Sequence, residues 1–228
     1  QYFFFRFNPL LHHTLTGTQP VTLLSREWQF RPGAVGSRDW ERSRLAALYA
    51  LAQGDAPVVV ATADGLMART LPPETLRSLA ITLEVGGQAE LGALAEQLLS
   101  AGYTRCEQVE GVGQFALRGG ILDVFSPLMD QPVRCEFFDD EIDSMGAFDP
   151  GTQRRTRNVS SARILPAAEV LPHCAPGGLP GLADQLTALA EKLAKKQKTE
   201  AIVQTLREDA ERLRSGAAPG AADRYLAA

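Results

Sequence analysis

The sequence predicts an α/β protein with a parallel α/β layer, an antiparallel-sheet (α+β) region and C-terminal helices. Residues 57–61 (PVVVA) are continuously apolar, which is typical of a strand in a parallel sheet covered on both faces. Residues 114–150 alternate short apolar runs with Gly, Pro and Asp turn signals, as an antiparallel meander does. Apolar residues recur every three or four positions over 182–213, which predicts helices.

The first third of the chain alternates strands and helices. We predict strands at 21–24, 57–61 and 80–85, a helix at 38–53, and two brief helices before the third strand. Ser37 is a plausible N-cap of the long helix, and Gly54 ends it. Thr62 or Asp64 caps the first brief helix, and Pro72-Pro73 opens the second.

The middle and the end of the chain follow different patterns. After Gly86-Gly87, a leucine stripe over 91–99 predicts a helix closed by Gly102, and the meander follows. A last strand is expected at 159–165. Residues 172–180 (PHCAPGGLP) are rich in Pro and Gly and are interpreted as a linker before the C-terminal helices.

The two faces of the strand predicted at 132–138 differ in character. Side chains alternate between the faces of a strand, so Arg134, Glu136 and Phe138 lie together, opposite Val133, Cys135 and Phe137. If the apolar set packs into the core, the other face presents an aromatic ring beside a guanidinium.

The strand at 114–118 adds a second guanidinium. Phe115 and Leu117 share one of its faces, which leaves Arg118 on the opposite one. Arginine pairs well with carboxylates and phosphates, and arginine and aromatic residues are enriched at interface hot spots. We therefore interpret Arg118, Arg134 and Phe138 as one candidate binding surface. The alternative is that a helix buries Phe138 and that both arginines are ordinary surface residues.

Composition narrows the class of protein. The formal net charge of −4 argues against a general basic footprint for nucleic acid, although not against a local patch. Apolar runs are too short to span a membrane, so we expect no membrane contact. The three cysteines (Cys106, Cys135 and Cys174) are widely spaced, which indicates neither a zinc site nor a disulfide framework and fits a reducing cytoplasm. Because the chain lacks an initiator Met, we expect it to be a fragment.

Catalytic and cofactor motifs are missing from the sequence. It contains no phosphate-binding G-x-x-x-x-G-K-S/T string and no G-x-S-x-G elbow. The His12-His13 pair has no third ligand nearby, so we interpret both as loop or surface histidines. Four carboxylates in residues 139–143 could hold a divalent cation, but their spacing does not match an EF-hand loop, and hairpin solvation is the preferred interpretation. We predict no cofactor, no metal and no enzymatic activity for this chain.

Several longer segments of the sequence resemble one protein family. They are GQFALRGGILDVFSP, PVRCEFFDDEIDSMGAFDPGTQRR and ILPAAEV, with GSRDWERSRLAALYAL and APVVVATADGLMARTLPPE upstream. Over roughly residues 21–170 the chain resembles the N-terminal UvrB-homology region of bacterial transcription-repair coupling factors. RGGILD followed by EFFDDEIDS is the specific part of this signal.

The resemblance implies a fold, a partner and a site. It implies a partial RecA/UvrB-like layer at 1–86, an inserted UvrA-binding domain at 87–170, and a helical return to the first domain at 171–228. In related coupling factors the two arginines and the second Phe of the RGG…PVR…FF pattern look like the contact points for UvrA. They correspond here to Arg118, Arg134 and Phe138.

The remaining implications concern the parent chain. Its motor domains would use ATP and magnesium, and other domains would bind RNA polymerase and DNA. UvrB itself also carries a nucleotide site and a Tyr-rich hairpin, but residues 25–37 (SREWQFRPGAVGS) are too short for that hairpin and contain no Tyr. A UvrB-like ATPase acting on damaged DNA is therefore the alternative function, and a plain DNA-binding domain is a third hypothesis.

Overall fold

A computed structural model of the protein describes residues 20–25, 39–55, 58–127, 129–195 and 200–216. Contacts divide the chain into two compact units. The first holds the described residues up to Glu169, and the second holds those from Val170 onward. The predicted boundary near residue 86 stays a prediction. The His12-His13 pair and the proposed cap Ser37 lie outside the described residues.

The first unit contains both helices and strands. Its first half has β1 (Val21–Leu23), α1 (Asp39–Gln53), β2 (Val59–Ala61), α2 (Ala63–Met67), α3 (Pro73–Ser78), β3 (Ile81–Glu84) and α4 (Leu91–Ser100). Its second half has β4 (Thr104–Arg105), β5 (Gln114–Arg118), β6 (Ile121–Val124), β7 (Val133–Phe138), β8 (Glu141–Phe148), β9 (Arg155–Asn158) and β10 (Ser161–Ile164). The mixture of parallel and antiparallel sheets confirms the predicted α/β class.

The predicted parallel pairing at the start of the chain is confirmed. β1 and β2 are parallel, with Val21 opposite Val59. The third predicted strand, at 80–85, does not join this sheet. β3 instead pairs antiparallel with β10, with Leu83 opposite Ala162. Both residues are buried in the core of the larger sheet, so the apolar face of β3 is covered there.

Local signals place the helix ends as the sequence predicts. Thr62 caps α2, because its Oγ1 accepts a hydrogen bond from Gly65 N at 3.3 Å. Pro73 occupies the first position of α3, where its missing N–H costs nothing. Gly102, with φ of 85°, follows the end of α4 in a conformation that glycine adopts readily.

A six-stranded sheet in the order β4-β5-β6-β7-β8-β9 forms the centre of the first unit. Only β4 runs parallel to its neighbour, and the other adjacent pairs are antiparallel. The sequence did not predict β4 or β9. The two-residue β4 is too short for an alternating pattern, and all four residues of β9 are exposed.

One face of this sheet packs with α4 to form the main core. A β-bulge in β8 keeps the apolar residues of that strand on the core face. Glu136 pairs with Ser144 and Phe137 with Ile142, so Asp143 has no cross-strand partner. The extra residue lets Ile142 and Met145 face the same side although they are three positions apart. The buried sheet residues are Phe115, Leu122, Val124, Val133, Cys135, Ile142 and Met145, and α4 contributes Leu94, Ala95 and Leu98.

A buried ion pair joins distant parts of the first unit. Arg44 Nε donates to Glu169 Oε2 at 2.8 Å, and both side chains are at most 1% exposed. Arg44 Nη1 also donates to the carbonyl oxygens of Leu24 and Gly65, at 2.7 and 3.0 Å. Glu169 N donates to Glu41 Oε1 at 2.9 Å. These bonds tie β1, α1 and α2 to the segment that follows β10.

The second unit is a pair of helices preceded by a short 3-10 helix. The elements are the 3-10 helix Pro172–Cys174, α5 (Gly178–Ala194) and α6 (Glu200–Arg214). Residues 172–180 are therefore partly helical, which corrects their interpretation as a linker. Leu182 and Leu186 are buried between the helices as predicted, whereas Leu189 is 43% exposed. No helix among the described residues is long and apolar enough to cross a membrane.

We expect Glu169→Gln to lower the free energy of unfolding by about 3–5 kcal/mol, because it leaves the buried Arg44 guanidinium without its counter-charge. The matched control is Glu74→Gln, which breaks the exposed pair of Glu74 with Arg77 and should cost less than about 1 kcal/mol. Urea unfolding of both variants measures the difference. Equal losses would contradict the importance of the buried pair.

Candidate protein-interaction site

The predicted binding residues lie on the face of the six-stranded sheet that is opposite the core packed against α4. We call this surface the arginine face, and its residues are Arg118, Asp123, Arg134, Glu136 and Phe138. The register of the paired strands brings these residues to the same face. Asp123 on β6 lies opposite Arg134 on β7, and Ile121 lies opposite both Arg118 and Glu136. Residues directly opposite in neighbouring strands share a face. The structure therefore places Arg118, Arg134 and Phe138 on one side of the sheet.

Asp123 links the two arginines. Its carboxylate is buried and accepts hydrogen bonds from Arg134 Nε at 2.7 Å, Arg134 Nη2 at 2.8 Å and Arg118 Nη2 at 2.8 Å. A buried carboxylate is strongly destabilising unless it is paired in this way. The two guanidinium groups are thus held at fixed positions, and hydrogen bonding to Asp123 raises the pKa of Arg134.

The Arg134 side chain also contacts Phe148 and Gln153. Its guanidinium carbon lies 4.7 Å from the centre of the Phe148 ring, within cation–π range. Gln153 Oε1 lies 3.4 Å from Arg134 Nη2, and the amide of Gln153 donates to the carbonyl oxygens of Val109 and Pro150. The side chain of Arg134 is only 21% exposed, so its donors are positioned before any partner arrives.

Phe138 is the open apolar element of this face. It is 76% exposed at the end of β7, next to the two-residue turn Asp139-Asp140 that leads into β8. Asp139 has φ of 53°, a conformation that Asp tolerates better than most residues. Phe138 lies four residues beyond Arg134 on the same strand, about 13 Å along it. A large exposed aromatic ring on the same face as fixed cations is typical of an interaction surface.

The geometry refines the prediction from sequence. The alternative in which a helix buries Phe138 is wrong, since the ring is open. Arg118 is 49% exposed, but Arg134 is more enclosed than an ordinary surface arginine. Sequence reasoning missed Asp123, which lies within the apolar run ILDV. The signal was an acidic residue within a buried strand, but its place opposite Arg134 is set by the pairing of β6 with β7.

The acidic residues near the hairpin do not gather into a metal site. Asp139 and Asp140 form its turn, and Asp143 is exposed at the bulge. Within the described ranges, no group of three His, Cys, Asp or Glu residues is arranged to hold a metal ion. The prediction that this chain uses no cofactor stays a prediction.

Comparison with known proteins identifies the domain that carries this face. Residues 81–170 match the UvrB interaction domain family. The chain is 44% identical to a transcription-repair-coupling factor of Myxococcus xanthus over 129 residues, 56% of the chain and 11% of that protein. It is 33% identical over 196 residues to the factor of Bacillus subtilis, covering 85% of the chain and 17% of that protein. The factor of Escherichia coli is 39% identical over 154 residues, 67% of the chain and 13% of that protein.

These matches define a protein that carries a UvrB interaction domain, and the arginine face lies within it. The chain is a relative of the transcription-repair-coupling factors, so the predicted resemblance to that family is confirmed. The chain spans 11% to 17% of the length of these relatives.

We expect Asp123→Asn to lower the free energy of unfolding by about 1.5–3 kcal/mol, because hydrogen bonds to the charged arginines lose their ionised acceptor. Asp143→Asn is the matched control, since Asp143 is exposed on β8 of the same sheet and should change stability by less than about 0.5 kcal/mol. Chemical denaturation followed by circular dichroism measures both. A neutral effect of Asp123→Asn would show that its ion pairs do not hold the face together.

Proposed function

We propose that this chain is a non-catalytic interaction module of a transcription-repair-coupling factor, and that its arginine face recruits UvrA for nucleotide excision repair where RNA polymerase has stalled. The observation that carries the proposal is the joint presentation of Arg118, Arg134 and Phe138 within a UvrB interaction domain. The name of the family refers to interaction, and the exposed ring and the fixed cations supply a surface suited to it.

The arrangement favours binding to a protein for physical reasons. Asp123 already restricts both arginines, so a partner loses less side-chain entropy when it pairs with them. Arginine presents a planar fork that matches carboxylates, and such charges guide the encounter and select the partner. The Phe138 ring supplies apolar area whose removal from water stabilises the complex.

We further propose that the surface imitates the docking site that UvrB offers to UvrA. Contacts with RNA polymerase and DNA, and the use of ATP and magnesium, are assigned to other domains of the parent chain, which acts in the cytoplasm. This assignment is supported by the family relationship and by the absence of a phosphate-binding string from this sequence.

We expect Phe138→Ala to weaken UvrA binding by about 2 kcal/mol, roughly thirtyfold in Kd, because the ring acts as an interface anchor. Folding should be unchanged, since the ring is 76% exposed. Met67→Ala is the matched control: Met67 is 85% exposed but lies on α2, away from the sheet. Isothermal titration with purified UvrA measures both variants. Parental affinity of Phe138→Ala would refute the assignment of this residue.

Arg134→Glu should weaken UvrA binding by about 2–5 kcal/mol, because it reverses a charge that we assign to the interface. Arg105→Glu on the edge strand β4 is the control for charge reversal, and circular dichroism checks that each variant is folded. Loss of binding by both variants alike would indicate a general charge effect. ATP turnover by the purified chain with damaged DNA would favour the UvrB-like ATPase instead.

A further inference from the structure

The arginine face continues past β7 onto the edge strand β9. Arg155 begins β9 opposite Phe148 of β8, whose ring lies beneath Arg134. The side chain of Arg155 runs back along the sheet, and its Nη2 donates to Ser144 Oγ at 3.2 Å. Arg118, Arg134 and Arg155 therefore form a series of guanidinium groups on β5, β7 and β9 of one face.

A glycine on β8 makes room for the Arg155 side chain. Gly146 lies directly opposite Arg134 in the β7–β8 pair. A Cβ atom at position 146 would collide with the Nε, Cζ and Cδ atoms of Arg155, so only glycine leaves space for that side chain to lie flat on the strand. The Arg155 side chain thus lies over Gly146, the residue of β8 that is opposite Arg134, in a space that we call the Gly146 slot.

This face carries three arginines and also three carboxylates, those of Asp123, Glu136 and Glu141. Asp123 is fully engaged by Arg118 and Arg134. Glu136 accepts a hydrogen bond from Ser144 Oγ at 2.8 Å. Glu141 lies opposite Phe138, at the end of β8 away from Phe148 and Arg155. Within the described part of the chain, Arg155 has one neutral hydrogen-bond partner and no ion pair. Arg155 is exposed.

The surroundings of Arg155 favour an anionic partner. Residues 151–163 contain four arginines and no acidic residue, although the whole chain has a formal net charge of −4. All four arginines are exposed. A guanidinium fork matches both carboxylates and phosphates with two parallel hydrogen bonds. The neighbouring exposed Phe138 favours a protein partner, because it also needs an apolar contact.

We propose that Arg155 is a third cationic contact of the arginine face, positioned by the Gly146 slot and by Ser144, and that it receives a carboxylate from an acidic surface of the partner protein. This inference rests on the proposed function, and it extends the site from β7 to the edge of the sheet. It also predicts that the partner presents acidic residues beyond those that face Arg118 and Arg134.

The test measures UvrA binding by Arg155→Ala, Arg155→Glu and Arg155→Lys. We expect about a tenfold or greater loss for the first two and a smaller loss for Arg155→Lys, which keeps the charge but not the fork. Arg157→Glu is the matched control on the same strand, since Arg157 pairs with the core-facing Ala147 and should change the affinity less than about threefold. Equal losses for Arg155→Glu and Arg157→Glu would overturn the inference.

The slot is tested by Gly146→Ala, alone and combined with Arg155→Ala. We expect Gly146→Ala to weaken binding in the parent and to add nothing in the Arg155→Ala background, because both changes act through one guanidinium. Equal losses in both backgrounds would show that Gly146 does not act by positioning Arg155.

Two further outcomes separate this inference from the function on which it rests. If Phe138→Ala weakens UvrA binding while Arg155→Ala and Arg155→Glu do not, Arg155 lies outside the interface and the proposed function stands. If UvrA binds none of these proteins, including the parent, both proposals are wrong.

A short DNA duplex serves as the phosphate probe, and loss of DNA binding by Arg155→Ala with unchanged UvrA affinity would assign Arg155 to nucleic acid instead.

Discussion

The buried carboxylate of Asp123 is the interaction on which the geometry of the arginine face depends. It accepts three hydrogen bonds of 2.7–2.8 Å from two arginines on the flanking strands. Because an unpaired charge in this position is strongly destabilising, the arginines are retained close to the sheet. The same contact that pairs the buried carboxylate therefore also fixes two guanidinium groups at the surface of the domain.

The two faces of the six-stranded sheet differ in their side chains and surroundings. One face forms the core with α4, and the bulge at Asp143 keeps β8 aligned with that core. The other face carries charges in cross-strand register, and the turn after β7 leaves Phe138 in solvent. A rigid scaffold of this kind positions interface groups more accurately than a loop does. The site accordingly gains fixed cations without losing the apolar area that stabilises the domain.

Alternation along 132–138 was sufficient to predict which side chains share a face, because β7 has no inserted residue. The same reasoning could not find Asp123, since its role depends on pairing with a strand eleven residues later. β9 has no apolar pattern and is defined only by its partner β8. The pairing of β3 with β10 joins segments some eighty residues apart, and local patterns carry no information on such pairings.

Hydroxyl-radical footprinting of the chain with and without UvrA shows whether UvrA covers the arginine face, because it reports side-chain accessibility without any substitution. Phe138 and Met67 are both well exposed in the free chain and both react with hydroxyl radicals. The oxidation rate of Phe138 should fall severalfold when UvrA is bound, while that of Met67 on α2 stays unchanged. An unchanged rate at Phe138 in a solution where UvrA is demonstrably bound would contradict the account.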